Sequence, residues 1–213
     1  MLKIRCLTSN KISQNFFSKP LDFFAVIAYN ASVPKGYKKG KLIMTDYIIR
    51  AQHFIRELFP YVMHWFDPNA VRIAVRRFNT DSRRAVKVAS GAARIAIMTS
   101  DYVVKLDYDE ESATVFGGCE SECKFYDFAC SEGYGHLFAA ITPYEYGGIT
   151  FYIMPRIRGI GNESRPVSYG LTYDELDFLV EYLDDLHEYN YGVRDGKTCV
   201  IDYACNKLAF ADL

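Results

Sequence analysis

The sequence predicts an α+β fold, and three observations carry that prediction. Two stretches before residue 80 repeat apolar side chains at helical spacing. The segment that follows changes to short, β-branched runs split by turn residues. The remainder combines two further helical patterns with two hairpin signals, Gly147-Gly148 and Asp195-Gly196. Strands clustered in this way, rather than alternating singly with helices, argue for an α+β layout and against a parallel α/β sheet.

The elements follow in order. From Thr45, apolar residues Ile48, Ala51, Ile55, Leu58 and Phe59 recur on one helical face, with Thr45 positioned to cap the helix and Pro60 to end it. Asp67 and Pro68 read as the N-cap and first residue of a second helix that stops near Asn79–Ser82. Three strands are expected around Val86–Ala89, Arg94–Met98 and Tyr102–Tyr108. A helix then puts Glu122, Tyr126 and Ala129 on one face and stops at Gly133. Leu137–Ile157 reads as a hairpin, and a loop with Gly159, Gly161 and Pro166 comes next. Leu171–Leu186 reads as a helix with a capping box, Thr172 with Glu175. Tyr191–Tyr203 closes the sequence as a hairpin. These elements suggest a basic arm at 1–43, a helical extension at 44–84, a β-rich lobe at 85–157 and a smaller lobe at 158–213.

Composition bounds the function classes. Half of the 213 residues are apolar and 15% are aromatic, so a packed core forms and global disorder is excluded. The longest apolar run, Phe23 to Tyr29, is far too short to span a membrane. Residues 1–43 hold eight Lys/Arg and one acid, Asp22, while the remainder holds 17 basic and 25 acidic residues. Such an arm reads as a poorly ordered tail, or as a contact for nucleic acid or an acidic surface. Met44 offers an alternative start. Cys6, Cys119, Cys123, Cys130, Cys199 and Cys205 lack the paired spacing of a zinc site, and no secretory signal precedes them, so reduced thiols in a cytoplasmic protein are expected.

The chemistry concentrates in a few residues. An alternating apolar strand, Val103–Leu106, carries one inward lysine, Lys105, which needs a carboxylate partner because a buried unpaired ammonium is costly. Glu122 on the next helix is one candidate and Glu120 the other. Asp185 and Asn190 lie five residues apart in a polar stretch, and Asp202 lies 12 residues beyond Asn190. The Asp195-Gly196 turn folds the chain back, so Asp202 returns beside Asn190. A lysine for phosphates, a glutamate to fix it, a carboxylate to orient an acceptor hydroxyl, and an Asn/Asp pair for Mg²⁺ make up the parts needed for phosphoryl transfer from ATP.

Asp185-Leu186-His187-Glu188-Tyr189-Asn190 resembles the D-x-H-x-x-N catalytic loop of the protein-kinase-like superfamily. Ile201-Asp202-Tyr203-Ala204 resembles its metal-binding D-F-G element, and Val103-Val104-Lys105-Leu106 its V-A-I-K strand. The resemblance covers roughly residues 85–205 and is nearest to small phage-encoded Ser/Thr kinases. It implies a bilobal kinase-like fold, with Ile153–Ile157 as hinge, ATP and Mg²⁺ as cofactors, and a host protein as substrate. Carried over, Lys105 binds phosphate, Glu122 pairs with it, Asp185 is the catalytic base, and His187 stands near the γ-phosphate. Asn190 and Asp202 hold Mg²⁺, Ser90, Gly91 and Ala92 lie over the nucleotide, and Met154 lines its pocket.

The sequence departs from the family at several points. The loop over the nucleotide has one glycine, Gly91, where three are usual; Leu183-Asp184 replaces His-Arg before Asp185; Ala204 replaces the D-F-G glycine. Nine residues follow Ala204, with no A-P-E element among them, so the docking of a protein substrate is not explained. A rival register makes Asp195 catalytic and Asp212 the metal ligand, but the position five residues after Asp195 is Val200 rather than Asn. Two other functions stand beside the protein kinase. A small-molecule phosphotransferase is suggested by His187, and a pseudokinase that binds a host partner by the poor glycine loop.

Overall fold

The computed structural model describes residues 38–108, 118–159 and 166–210. The expected basic arm therefore lies almost wholly outside the described residues, as does Cys6. Residues 39–213 form one unit, and the fold below concerns it.

Helix α1, Lys38–Leu58, and helix α2, Pro68–Ser82, precede a five-stranded antiparallel sheet. The strands are β1 Lys87–Ser90, β2 Arg94–Met98, β3 Tyr102–Asp107, β4 Thr142–Tyr146 and β5 Ile149–Pro155, in spatial order β1-β2-β3-β5-β4. Helix α3, Cys119–Ser131, connects β3 to β4 in sequence. Strand β6, Arg158–Gly159, precedes helix α4, Tyr173–Tyr182, and joins β7 Tyr191–Arg194 and β8 Lys197–Val200 in a small antiparallel sheet. The fold is α+β, as expected, and no helix among the described residues is long and apolar enough to cross a membrane.

Strand alternation divides the larger sheet into two faces. Ile95, Ile97, Val104, Leu106, Phe151 and Ile153 point to one face and bury against Phe54, Ile55, Leu58, Val71, Val75 and Phe78 of α1 and α2. Each such side chain contributes about 1.5–3 kcal/mol when fully buried, so the helical extension is an integral layer of the core. The opposite face presents Arg94, Ala96, Val103, Lys105 and Met154: Ala96 lies across from Lys105, and Val103 across from Met154. Below it, a second core gathers Phe125, Phe138, Phe178, Leu179, Met154, Val200 and Tyr203.

Local signals read from the sequence are realised at several points. Asp67 caps α2 by accepting the Asn69 N–H at 2.8 Å. Thr172 and Glu175 close both hydrogen bonds of a capping box on α4. Gly147 and Gly148 both take positive φ, which a two-residue hairpin turn of this hand requires. None of the five described cysteines forms a disulfide.

Three expectations need correction. Thr45 is inside α1 and does not cap it, because Lys38–Met44 contains no proline and mostly helix-favouring residues. The helical extension accordingly begins upstream of residue 44. Helix α4 ends at Tyr182 rather than Leu186. Leu183 turns extended and bridges Asn206, a tertiary pairing that replaces further helix. Arg158–Gly159, read as loop, adds a two-residue strand to β7, too short to leave a periodic signal.

The α4 cap also sets an acid sensitivity. Glu175 accepts from His136 Nε2 at 2.7 Å, from the Thr172 N–H at 2.8 Å and from Lys197 Nζ at 3.2 Å. The His136 contact first, then the Thr172 N–H, hold its carboxyl down from 4.5 to about 2. A depressed folded-state value gives stability that is complete above 4.5 and lost as pH falls toward 2. Glu175→Gln should lower the melting temperature at neutral pH and flatten the acid limb of the stability profile. Parallel thermal melts of both proteins across that range check it, and superimposable acid limbs count against the assignment.

Candidate active site

The site forms where the larger sheet, α3 and the β7–β8 hairpin meet. Lys105, on β3, is buried, and its ammonium donates to Glu122 Oε1 at 2.8 Å, to Glu122 Oε2 at 3.0 Å and to the Ile201 carbonyl at 3.0 Å. Glu122 lies on the inner face of α3 and is wholly buried. Glu120, two residues earlier, projects into solvent and pairs with Lys124 at 3.0 Å. Helix phase therefore selects Glu122 as the partner of Lys105.

Glu122 also accepts the Tyr203 backbone N–H at 3.1 Å. That contact ties α3 to the segment carrying Asp202. The Tyr203 ring is buried among Phe125 and Phe138, and its hydroxyl donates to the Ala139 carbonyl at 2.7 Å. Asn206, also wholly buried, holds the same segment from behind: its Nδ2 donates to the Tyr203 and Ala204 carbonyls at 2.8 and 3.2 Å.

Asn190 joins the two polar loops. Its backbone carbonyl accepts from the Ile201 and Asp202 N–H groups at 2.8 and 3.2 Å. Its side-chain Nδ2 donates to the Asp185 carbonyl at 2.9 Å, which leaves Oδ1 as an oxygen donor. The β7–β8 hairpin thus returns Asp202 to Asn190, as its turn predicts. Asp195 and Gly196 both have positive φ at the tip of that hairpin. The Asp185 and His187 side chains are about half exposed, and His187 Nε2 lies 3.4 Å from Asp185 Oδ1. His187 Nδ1 accepts the Tyr189 N–H at 3.2 Å, so the neutral ring carries its hydrogen on Nε2, facing the carboxylate.

Burial lowers the Lys105 pKa, but Glu122 and Asp202 outweigh it and the net shift is upward, so the ammonium stays charged. Burial pushes the Asp202 carboxyl up, and Lys105 and Arg94 together overcome it, holding the group below its usual value. Asp202 is therefore an anion at neutral pH. Among the described residues no cluster of three or more His, Cys, Asp or Glu side chains forms a metal centre. Asp202 and Asn190 Oδ1, on loops joined by backbone hydrogen bonds, are hard oxygen donors of the kind Mg²⁺ takes, an ion that commonly uses one or two carboxylates and completes its shell with water and phosphate.

The other expected residues are placed as follows. Ser90, Gly91 and Ala92 form the tight end of the β1–β2 hairpin. The Gly91 N–H bonds the Arg94 carbonyl at 2.9 Å, and Ser90 Oγ accepts from Arg72 at 2.6 Å. Tyr108 donates its hydroxyl to the Gly91 and Ala92 carbonyls. A phosphate cradle of loop amides accordingly lacks the Gly91 donor. Met154 is buried in the second core on the Lys105 face of the sheet. Asp212, from the rival register, lies outside the described residues. Arg156, one residue past β5, holds the Thr99 carbonyl in the β2–β3 turn.

One residue of the site escaped the sequence reading. Arg94, the first residue of β2, ion-pairs with Asp202 Oδ1 at 2.9 Å and approaches Glu122 Oε1 at 3.7 Å. An arginine at a strand end next to a loop carries no signal beyond surface charge. Its strand phase relative to Lys105 is what could have placed it, once the β2–β3 register was known. No protein-family model matches the chain, and a search of curated proteins found no similar sequence.

Proposed function

We propose that the chain is an ATP- and Mg²⁺-dependent phosphotransferase with a kinase-like bilobal fold, acting on a Ser/Thr hydroxyl of a host protein. The observation that carries this reading is the Lys105–Glu122 ion pair, held by a glutamate that also anchors the Asp202 segment. Lys105 and Asp202 are far apart in sequence, and a buried ion pair such as Lys105–Glu122 is costly to desolvate, so its placement beside the Asp202 carboxylate supports a functional site.

Each residue has a role in this reading. Lys105 reaches the nucleotide phosphates by exchanging its Ile201 carbonyl contact for a phosphate oxygen, while Glu122 keeps the ammonium aimed. Asp185, half exposed, accepts the hydrogen bond of the acceptor hydroxyl and takes its proton. His187 borders that carboxylate and limits its rotation. Asn190 fixes the spacing between the Asp185 loop and Asp202. Bound Mg²⁺ supplies charge neutralisation at the transferring phosphate and would be held by Asp202 and Asn190 Oδ1.

Incubation with labelled ATP and Mg²⁺ tests the reading. Autophosphorylation or labelling of a protein acceptor supports it, and labelling of metabolites alone moves the substrate to a small molecule. Asp202→Asn should abolish the magnesium-dependent part of thermal stabilisation by ATP. A variant that keeps all of that stabilisation rules out the metal assignment. The Arg94–Asp202 pair favours a second reading, a nucleotide-binding protein without turnover; labelling by the wild type but not by Lys105→Met would exclude it.

A further inference from the structure

Arg94 changes the charge balance of the site. The group comprises Lys105 and Arg94 against Glu122 and Asp202, two cations against two anions, with Lys105 and Glu122 buried and Arg94 and Asp202 partly exposed. Without Arg94 the same group would be a net anion that attracts a divalent ion. With it, the carboxylate that such an ion needs is already compensated. Arg94 is not a loop side chain that swings away freely. It belongs to β2, which is paired to β1 on one side and β3 on the other, and it sits directly across from Asp107. Its side chain is 19% exposed and that of Asp202 is 35% exposed. Its second guanidinium nitrogen, Nη1, is buried with no hydrogen-bond partner in the structure. Burial lowers the guanidinium pKa, and Glu122 and Asp202 more than restore it. An arginine also stays charged at any working pH, so this cation cannot be titrated out.

We propose that Arg94 is a tethered competitor for the divalent ion at Asp202. The ion enters only by displacing the guanidinium from the carboxylate, and the displaced Nη groups then face the side of the site where nucleotide phosphates lie. Both the divalent ion at Asp202 and the destination of the guanidinium rest on the proposed function, while the titration below reads the competition without turnover.

Calorimetric titration of Mn²⁺ into the nucleotide-free full chain reads the competition without ATP or turnover. Arg94→Gln should bind Mn²⁺ more tightly than wild type by about tenfold or more, a factor equal to roughly 1.4 kcal/mol. Arg94→Lys keeps the charge and should stay within a few-fold of wild type. The gain should vanish in the Arg94→Gln, Asp202→Asn double variant. Equal affinities, binding by neither protein, or a gain that survives Asp202→Asn each overturn the proposal. If Arg94→Gln fails to fold, wild type and Asp202→Asn suffice: the Arg94 guanidinium resonance should shift as Mg²⁺ is added to wild type, and not in Asp202→Asn. A resonance that does not move with added Mg²⁺ overturns the proposal equally. Failure of the phosphotransfer reading is a different result, namely no labelling by wild type, and leaves these titrations as they are.

Discussion

Lys105→Met is expected to lose ATP turnover by orders of magnitude and to lose stability at the same time. The two losses have different causes. Turnover falls because preorganised positive charge on a transferring phosphate is among the largest contributions to such catalysis. Stability falls because Glu122 is wholly buried and its carboxylate loses its closest cation. Removing one member of a buried pair typically costs about 3–5 kcal/mol, most of it from the charge left behind. Arg94 at 3.7 Å and the Tyr203 N–H at 3.1 Å soften that cost but cannot replace a two-oxygen contact. Pairing Lys105→Met with Glu122→Gln should recover part of the stability, since a neutral amide tolerates the site better, and should recover no turnover. Denaturant melts and labelled-ATP assays on the two single variants and the double variant form a complete cycle. A single variant as stable as wild type shows that the ion pair is absent. A stable and active Lys105→Met removes Lys105 from the phosphate role.

Much of this site is legible in sequence because its parts obey strong local rules. Lys105 is the one inward charge in an otherwise apolar stretch, Val103–Leu106, so it has to be paired. Glu122 shares a helical face with Tyr126 and Ala129, three and four residues apart in the usual way. Asp202 follows a hairpin whose turn residues dictate its return. These arguments need only period and turn chemistry. The remainder depends on tertiary register, which leaves no mark on a single chain. Arg94 faces Asp202 only because Ala96 pairs with Lys105. Asn206 looks like a surface residue until the chain folds it under Tyr203. The end of α4 is fixed by a bridge from Leu183 to Asn206, a contact 23 residues away that no helix rule includes.

Asp185→Asn should lower phosphotransfer by about 10²–10⁴ while nucleotide binding persists, the range expected for a positioned general base. The structure makes this a clean substitution. The Asp185 side chain is about half exposed, and its fold-bearing contact is the backbone carbonyl that accepts from Asn190. An amide in its place keeps the loop and removes only the proton acceptor. Asp195→Asn is the matched control and discriminates the two catalytic registers. Asp195 has φ of 52° and Gly196 of 79°, so the pair forms a hairpin turn in which asparagine is at least as comfortable as aspartate. That variant should keep wild-type turnover and equal or slightly raised stability. Phosphotransfer rates of the two purified proteins, compared after both give wild-type melting curves, decide between the registers. Loss with Asp195→Asn and retention with Asp185→Asn would reverse the assignment. It would also remove the roles given to His187, Asn190 and Asp202, since each is defined by its distance from Asp185 along one loop and one returning strand.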